Sequence, residues 1–350
     1  MHGEFVADSQ RMLRSKQVPS ESEIISRIKR RSRINDQVLL GIGDDAAVIQ
    51  TTRGTDLIAC CDLMVEGVHF RTEWTPPRLL GRKALAVNLS DIAAMGGHSK
   101  FAMVSIALPH KYSAEFIDEL FNGISELADA SGVAIIGGDT SGSANSLFID
   151  ISVIGECYSG RAVTRGGAEV GNKIYVSGSL GASALGLSFL EAGFRLSDVK
   201  HLGDTGRRAL LKHLAPEPKL SLGRALGEAG LATAMIDISD GLSTDLTHIL
   251  EESTVGATIH ASALPIDDCV LSATAAVPAV DPTTLALNGG EEYELLFTVR
   301  PQDQDRLTFL ARTLGERVTS IGEIVSGREL SLEREGMMET IQPRGFEHII

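Results

Sequence analysis

Seven aspartates recur in short, glycine-containing segments of this chain that are backed by apolar residues, and no basic phosphate-binding loop accompanies them. A carboxylate beside buried segments is costly unless a positive group pairs with it, and few lysines or arginines lie nearby in the sequence. Divalent cations are natural partners, and hard oxygen ligands suit Mg²⁺. The pattern therefore predicts a magnesium-dependent site for a polyanion. The seven are Asp44, Asp45, Asp62, Asp91, Asp139, Asp237 and Asp240.

Composition excludes several other classes of protein. The formal net charge of −14 argues against binding to nucleic acid or anionic membrane, because a phosphate backbone needs a basic face. The four cysteines include no CxxC pair, which argues against a zinc ribbon. So few cysteines also suit a protein of a reducing compartment. Residues 1–18 contain no apolar segment of signal-peptide length, and no run approaches the roughly 20 apolar residues of a membrane span. We therefore expect a cytoplasmic protein.

The order of the predicted elements favours an α+β fold with two domains. A chain of 350 residues suits two domains at roughly 150 residues each, and its short strands and helices lack strict βαβ alternation. The polar, glycine-rich stretch over residues 158–171 predicts a boundary. We predict an N-terminal extension over 1–18, an N-terminal domain over 19–157 and a C-terminal domain over 158–350.

Four local predictions concern the acidic segments. An apolar run from Leu57 predicts a short buried strand that ends at Asp62. A strand over residues 133–136 is expected to deliver GGDTSG, with Asp139, at its end. Asp91 is predicted on the apolar face of a helix, where a carboxylate needs a partner, and Asn88 lies one turn earlier. In DISDGLSTD, Ser239 or Asp240 is the expected N-cap of the following helix.

Each of these segments also has a purely structural interpretation. Gly-Asp is common in polar turns, Asp62 can be a cap, His69 a surface residue and Arg165 a solvated linker charge. GGDTSG can be a tight hairpin turn. The sequence contains no GxxxxGK[ST], no kinase-type HRD loop and no HExxH motif, so ATP chemistry would need a scaffold other than a P-loop or a protein kinase.

Taken together, the segments resemble the motifs of the thiamine-monophosphate kinase family, in the family's order, from about Glu23 to Phe346. The resemblance implies ATP-dependent phosphorylation of thiamine monophosphate, yielding thiamine diphosphate and ADP, with several Mg²⁺ ions between ATP and acidic residues. It also implies a two-domain fold in which N-terminal sheets pair across a homodimer and the C-terminal domain is an α+β layer structure. The segments are GIGDDAAVI, EGVHF, KALAVNLSDIAAMGG, GGDTSG, GRAVTRGGAEVGN, ISDGLSTD and NGGEEYELLF.

The resemblance also assigns roles by motif position. Asp45, Asp91 and Asp240 are the expected catalytic carboxylates. His69, Glu291 and Phe346 would line the substrate pocket. The implied metal ligands lie in both halves of the chain, so the site is expected at a domain interface; they are Asp45, Asp62, Asp91, Asp139, Asp237 and Asp240. The implied ATP contacts are Phe121, Gly138, Asp139, Arg165 and Ser239.

Three further positions have roles that the motifs do not fix. Cys61 stands where the family usually has threonine, and a thiol is a poor Mg²⁺ ligand, so we expect its backbone carbonyl alone to reach a metal or one contact to be lost. Glu292 replaces an aspartate, which keeps the carboxylate but changes its reach. Asp44 either supports its neighbour's turn or joins a metal through water.

Elementary chemistry agrees with such a reaction. Both reactants are anions whose phosphates must approach within roughly 3–3.5 Å, and metal ions offset the repulsion. Because the nucleophile is an already ionised phosphate oxygen, we expect direct in-line transfer without a phosphoenzyme. The alternatives are a synthetase of the same fold for selenophosphate or aminoimidazole ribonucleotide, and a non-catalytic nucleotide- or thiamine-binding protein. A selenophosphate synthetase would carry a reactive cysteine near its N-terminus, and residues 1–35 contain none.

Overall fold

The computed structural model of the protein describes residues 21–42, 46–276 and 281–346. They fall into two units that interleave in sequence. The first unit comprises the described residues up to Thr52 together with Cys60–Asn88 and Lys100–Ile154. The second comprises Arg53–Ala59, Leu89–Ser99 and the described residues from Gly155 onward. The predicted mixed α+β fold with two domains is confirmed, whereas the predicted boundary at residues 157 and 158 stays a prediction.

The elements up to Tyr158 build a four-stranded sheet with strand order β3-β6-β4-β5, in which β4 and β5 run parallel. A short antiparallel pair, β1 and β2, forms a separate two-stranded sheet. The elements are α1 (Glu21–Arg31), β1 (Val38–Leu40), β2 (Val48–Ile49), β3 (Thr55–Val65), α2 (Pro77–Ala94), β4 (His98–Pro109), α3 (Ala114–Ser131), β5 (Ala134–Ser143) and β6 (Phe148–Tyr158).

Helices α2 and α3 cross at a pair of glycines. A Cβ atom on Gly81 of α2 would lie 1.9 Å from the carbonyl oxygen of Leu120, and one on Gly123 of α3 would lie 1.9 Å from that of Arg78. Only glycine lets the two backbones approach so closely, because any side chain there overpacks the contact. An amphipathic pattern over residues 114–131 predicts a helix closed by Gly132, and α3 has these bounds: Ser113 caps its start and Gly132, with φ of 71°, ends it.

The remaining elements build a seven-stranded sheet with strand order β13-β12-β9-β11-β7-β10-β8. Its pairs are antiparallel except for β9 with β12. The strands are β7 (Lys173–Ser177), β8 (Ala232–Asp237), β9 (Gly256–His260), β10 (Leu295–Val299), β11 (Val318–Val325), β12 (Leu330–Arg334) and β13 (Met337–Thr340). The helices are α4 (Ala182–Glu191), α5 (Val199–Leu214), α6 (Leu220–Ala229), α7 (Leu242–Ser253), α8 (Asp268–Ala276), α9 (Pro282–Asn288) and α10 (Gln304–Leu314).

Both faces of the central strands of this sheet are buried. On one face, Val176 and Leu296 pack in a cluster with Leu246 of α7. On the other, Phe297 packs with Leu226 of α6. Because successive strand residues point to opposite faces, the continuous apolar runs of β7, β8 and β10 are what a sheet between two helical layers requires. The second unit is therefore an α+β layer structure whose core fixes the ends of these strands.

Two local predictions were wrong about where strands end. β3 continues to Val65, so Asp62 lies within the strand, and only Ile58 and Met64 are buried along it. The pattern is that of a sheet with one covered face rather than of a buried strand. β5 continues to Ser143, so GGDTSG is strand and not a terminal turn. Its parallel pairing with β4 runs through Asp139 to Ser143 and holds the segment extended.

Among the described residues, no helix is both long enough and apolar enough to cross a membrane.

Candidate active site

The acidic turn after β8, residues 237–241, is the centre of the candidate site. β8 ends at Asp237, and α7 begins after Gly241. The predicted N-cap was wrong: Gly241 occupies that position, and neither Ser239 nor Asp240 caps the helix. Instead, the Oδ2 atom of Asp245 accepts hydrogen bonds from the backbone nitrogens of Asp240, at 3.2 Å, and of Gly241, at 3.0 Å. A side chain of α7 therefore holds the turn, and the side chains of Ser239 and Asp240 are not used as N-caps.

Asp245 is the main site residue that the sequence reasoning missed. It is almost fully buried. Burial, together with the neighbouring carboxylates of Asp237 and Asp240, raises the pKa of Asp245 to about 8. A carboxylate oxygen each from Asp240 and Asp245 and a ring nitrogen of His248 lie within 4.8 Å of one another, close enough to share one metal ion. The sequence feature that could have revealed Asp245 is its place as an acidic residue in the first turn of the predicted helix. That position is common for a stabilising charge.

The second half of α2 supplies another predicted carboxylate to this unit. The Ser90 hydroxyl donates a hydrogen bond of 2.6 Å to Oδ2 of Asp237, and both residues are buried. Asp91 follows directly and is partly exposed. The structure therefore brings the NLSDI and DISDG segments together, although 147 residues separate the two bonded side chains.

The loop over residues 289–294, which we call the GGEEYE loop, packs against the acidic turn. The backbone nitrogen of Glu291 donates to the Ser239 carbonyl at 2.7 Å, and that of Tyr293 donates to Ile238 at 2.8 Å. Glu291 and Tyr293 both have positive φ, at 58° and 51°, which non-glycine residues hold only when their surroundings enforce it. The predicted substrate residue Glu291 is therefore built into the turn that carries Asp240.

Phe346 reaches the same turn from the C-terminal segment. Its backbone nitrogen donates to the Asp240 carbonyl at 3.1 Å, and 51% of the residue is exposed. A large exposed aromatic residue fixed by its backbone is well suited to stacking on a ligand ring. Five predicted residues of the second unit thus come together around one turn, namely Asp237, Ser239, Asp240, Glu291 and Phe346.

The structure gives Glu292 a role. The residue is fully buried, and its Oε1 atom accepts hydrogen bonds from the backbone nitrogens of Gly181, at 2.7 Å, and Ser183, at 3.1 Å. These are unpaired donors at the start of α4, a position that favours a negative charge. Burial raises the pKa of Glu292 to about 7, while nearby Lys212 acts in the opposite direction. Glu292 therefore joins the GGEEYE loop to α4.

Arg165 does not lie at the acidic turn. Its carbonyl accepts a hydrogen bond of 3.3 Å from the Ser253 hydroxyl, which also accepts one from the Gly167 nitrogen. Ser253 is the last residue of α7, and Asp240 precedes the first. The helix spans about 18 Å at 1.5 Å per residue, so the backbone of Arg165 is fixed at the far end. Its contact with ATP stays a prediction.

In the first unit, Asp62 and Cys61 lie side by side on β3 with different partners. The backbone nitrogen of Asp62 donates to Oδ1 of buried Asn88 at 3.0 Å, so Asn88 holds the strand in place. The Cys61 thiol donates to Oδ1 of Asp150 at 2.9 Å, and this hydrogen bond raises the pKa of the thiol. A protonated thiol is no ligand for Mg²⁺, which leaves the backbone carbonyl as the feasible contact of Cys61.

The EGVHF segment after β3 is held by Glu66. Burial alone would raise the pKa of Glu66, but hydrogen bonds from the Tyr112 hydroxyl, the Leu147 nitrogen and the Lys111 ammonium outweigh it and lower that pKa to about 2. Within the segment, Nδ1 of His69 accepts a hydrogen bond of 3.0 Å from the Val65 nitrogen. The ring of His69 is thereby oriented, and its substrate role stays a prediction.

Three further predicted residues lie on or beside β5. Gly138, with φ of 144°, is required by packing, because a Cβ atom would lie 1.8 Å from the Val104 carbonyl oxygen. Asp139 is exposed, and its Oδ1 atom accepts from the nitrogen of Thr140. Phe121 is only 2% exposed on the buried face of α3. Its ring lies in the core of the first unit, and its nucleotide contact stays a prediction. Asp44 and Asp45 lie outside the described residues.

Comparison with known proteins first gives the class. Residues 43–157 match the family model for the AIR synthase related protein, N-terminal domain, and residues 169–335 match that for its C-terminal domain. Together the two matches take in most of the chain, including the acidic turn and the GGEEYE loop. The chain therefore consists of the two domains of the AIR synthase related proteins.

The relatives narrow this class. Thiamine-monophosphate kinase of Bacillus subtilis (strain 168) is 36% identical over 334 residues, 94% of this chain and 99% of the relative. The crystal structure of thiamine-monophosphate kinase from Stenotrophomonas maltophilia K279a matches with a TM-score of 0.81 and 36% identity, covering 90% of this chain and 96% of that one. AaThiL complexed with AMPPCP and TMP matches with a TM-score of 0.75 and 29% identity, covering 88% and 92%. The chain belongs to the thiamine-monophosphate kinase family, so the predicted family is confirmed.

The pKa of Glu66 generates a first testable prediction. A carboxyl whose folded pKa lies near 2, against 4.5 ordinarily, stabilises the fold above pH 4.5 and loses that contribution as pH falls toward 2. We expect Glu66→Gln to lower the free energy of unfolding at pH 7 by about 2–3 kcal/mol, and the difference from wild type to shrink between pH 4.5 and 2. Urea denaturation at a series of pH values measures it. Glu251→Gln, on an exposed side chain of α7, is the control; a pH-independent loss in Glu66→Gln would contradict the ionic explanation.

Proposed function

We propose that this protein transfers the γ-phosphoryl group of ATP to thiamine monophosphate, releasing thiamine diphosphate and ADP. The observation that carries the proposal is the convergence of the acidic turn, the GGEEYE loop and Phe346 in one unit of a chain that belongs to this family. The structural relative complexed with AMPPCP, an analogue of ATP, and with TMP supports both ligands. AMPPCP resists transfer of its terminal phosphoryl group, so that complex pairs a stand-in for one substrate with the other.

Mg²⁺ is the cation that the donor set fits best. The acidic turn carries the carboxylates of Asp237 and Asp240, and Asp91 follows Ser90, the α2 residue that bonds Asp237. We propose these three as ligands, since hard carboxylate oxygens suit Mg²⁺. When bound, the ion would neutralise phosphate charge and align the two anions. Asp45, Asp62 and Asp139 are proposed as the metal carboxylates of the first unit, where Cys61 would offer its carbonyl.

The chain's own side chains would orient the two substrates. Glu291 and Phe346 are proposed to hold the thiamine moiety, through the carboxylate and the exposed ring, with His69 donating toward it. Ser239 lies beside Asp240, where a helix start favours phosphate oxygens. The phosphate nucleophile needs no general base, so transfer would be direct. Detection of a phosphorylated form of the protein as an intermediate would contradict this step. The proposed nucleotide contacts are Phe121, Gly138, Asp139, Arg165 and Ser239.

We also propose that the protein is a homodimer paired through its four-stranded sheets. Alternate residues of β3 expose one face, and Leu63 on that face and Met103 on β4 are large exposed apolar residues of the first unit. An uncovered apolar sheet face is costly in water and favours a partner. Light scattering of the purified protein tests this proposal: we expect twice the mass of the 37.2 kDa chain, and a mass that stays at one chain on concentration would contradict it.

A coupled assay of ADP formation tests the proposed activity. We expect ADP to form with Mg-ATP and thiamine monophosphate, and thiamine diphosphate to accumulate in equal amount. Aminoimidazole-ribonucleotide precursors and selenide should give no turnover above background. Hydrolysis of ATP without thiamine diphosphate, or turnover only with one of those other substrates, would reassign the protein within its fold class.

Asp240→Asn tests the metal assignment. Removing one carboxylate charge from the cluster should lower kcat roughly 100-fold and raise the Mg²⁺ concentration required for half-maximal rate. Initial rates at varied Mg²⁺ and fixed ATP measure both effects. Asp305→Asn, an exposed acidic position on α10, is the matched control and should leave both values unchanged. Full activity of Asp240→Asn with an unaltered Mg²⁺ dependence would show that this carboxylate holds no metal.

A further inference from the structure

The three glutamates of the GGEEYE loop have different hydrogen-bond and ion-pair partners. Glu292 is fully buried at the start of α4, and Glu294 is bonded to Lys212 at 2.7 Å and to the Ser177 hydroxyl at 2.6 Å. Only Glu291 keeps substantial exposure, with 27% of its side chain accessible against 0% and 4% for the other two. Of the three glutamates, it is therefore the one that a ligand can reach.

The exposed carboxylate nevertheless has a buried partner. Nδ1 of His213, in the last turn of α5, lies 3.1 Å from Oε2 of Glu291. The Ser183 hydroxyl lies 3.2 Å from the same ring nitrogen. His213 and Ser183 are both buried, so the imidazole is held between α4 and the GGEEYE loop and has little freedom to turn away.

Residues of α5 and α4 that lie next to each other bond to different glutamates of the GGEEYE loop. Lys212 pairs with Glu294, while His213, the next residue, pairs with Glu291. The backbone nitrogen of Ser183 bonds Glu292, and its hydroxyl contacts His213. The positive φ of Glu291 fixes where its side chain leaves the backbone, and the His213 contact fixes where the carboxylate ends. A group that must meet a ligand in one orientation gains from such a fixed starting position.

We propose that His213 is a positioning residue for substrate recognition, acting through Glu291 by holding its carboxylate toward the thiamine moiety. The inference rests on the proposed function, because it takes thiamine monophosphate as the ligand of Glu291. His213 itself need not touch the substrate. It differs from a residue that only packs α5, because its effect passes through one carboxylate and is absent when that carboxylate is removed.

Steady-state kinetics of single and double variants test the proposal. His213→Leu introduces an apolar side chain of similar size that has no hydrogen-bond donor. We expect it to raise KM for thiamine monophosphate about tenfold, the scale of one hydrogen bond to a charged group. KM for ATP should stay unchanged and kcat should change little. His213→Asn, whose amide nitrogen replaces the Nδ1 donor, should restore most of the lost affinity. Leu210→Ala, another buried position on α5, should lower the melting temperature without raising KM.

A double-mutant comparison separates positioning from general damage. Glu291→Ala should raise KM for thiamine monophosphate, and adding His213→Leu to it should produce no further increase, because contacting residues are not additive. An equal rise in KM from His213→Leu with or without Glu291 would overturn the proposal, as would wild-type KM in His213→Leu. Either result leaves the proposed function standing if the wild-type protein forms thiamine diphosphate. Absence of that product in the wild type would instead refute the proposed function.

Discussion

Buried carboxylates need compensation, and the second unit is organised around supplying it. Glu292 and Glu294 enter the core at the start of β10, the strand that lies between β7 and β8. An uncompensated buried charge costs several kcal/mol, about as much as a small domain's whole margin of stability. The protein compensates with Lys212, the first donors of α4 and the Ser177 hydroxyl. These bonds fix the GGEEYE loop, and the loop in turn fixes the acidic turn through Ser239.

Much of this could be predicted from the sequence, because the signals were local or motif-based. The bounds of α3 follow from Ser113, an apolar stripe and Gly132. The apolar spacing also predicts a helix over residues 79–95, and α2 spans Pro77–Ala94. The family follows from seven weak motifs in order, since their joint occurrence is far more specific than any one of them. The individual site residues came from the same motifs, and their metal and nucleotide contacts stay predictions.

The errors and omissions lie where distant segments decide the outcome. GGDTSG resembles a turn locally, but parallel pairing with β4 keeps it extended to Ser143. Ser239 and Asp240 are good N-cap residues, but Asp245 ties the turn instead. His213 carries no motif, and its contact with Glu291 depends on where α5 packs. Propensity and spacing report on neighbours in the chain, whereas tertiary contacts can override both.

The acidic residues divide into two groups according to what neutralises them. Protein donors lower the pKa of Glu66 and of Asp267 to about 2: Tyr112 and Lys111 bond the first, and Ser179 and Arg208 the second, in each case against the opposing effect of burial. Such carboxylates hold the fold together. Asp245 is the opposite case, because burial and then two more carboxylates raise its pKa to about 8. A negative field of that kind is stabilised by a cation from outside the protein. A cation bound at the acidic turn would therefore favour the ionised form of Asp245 and offset the repulsion among the three carboxylates.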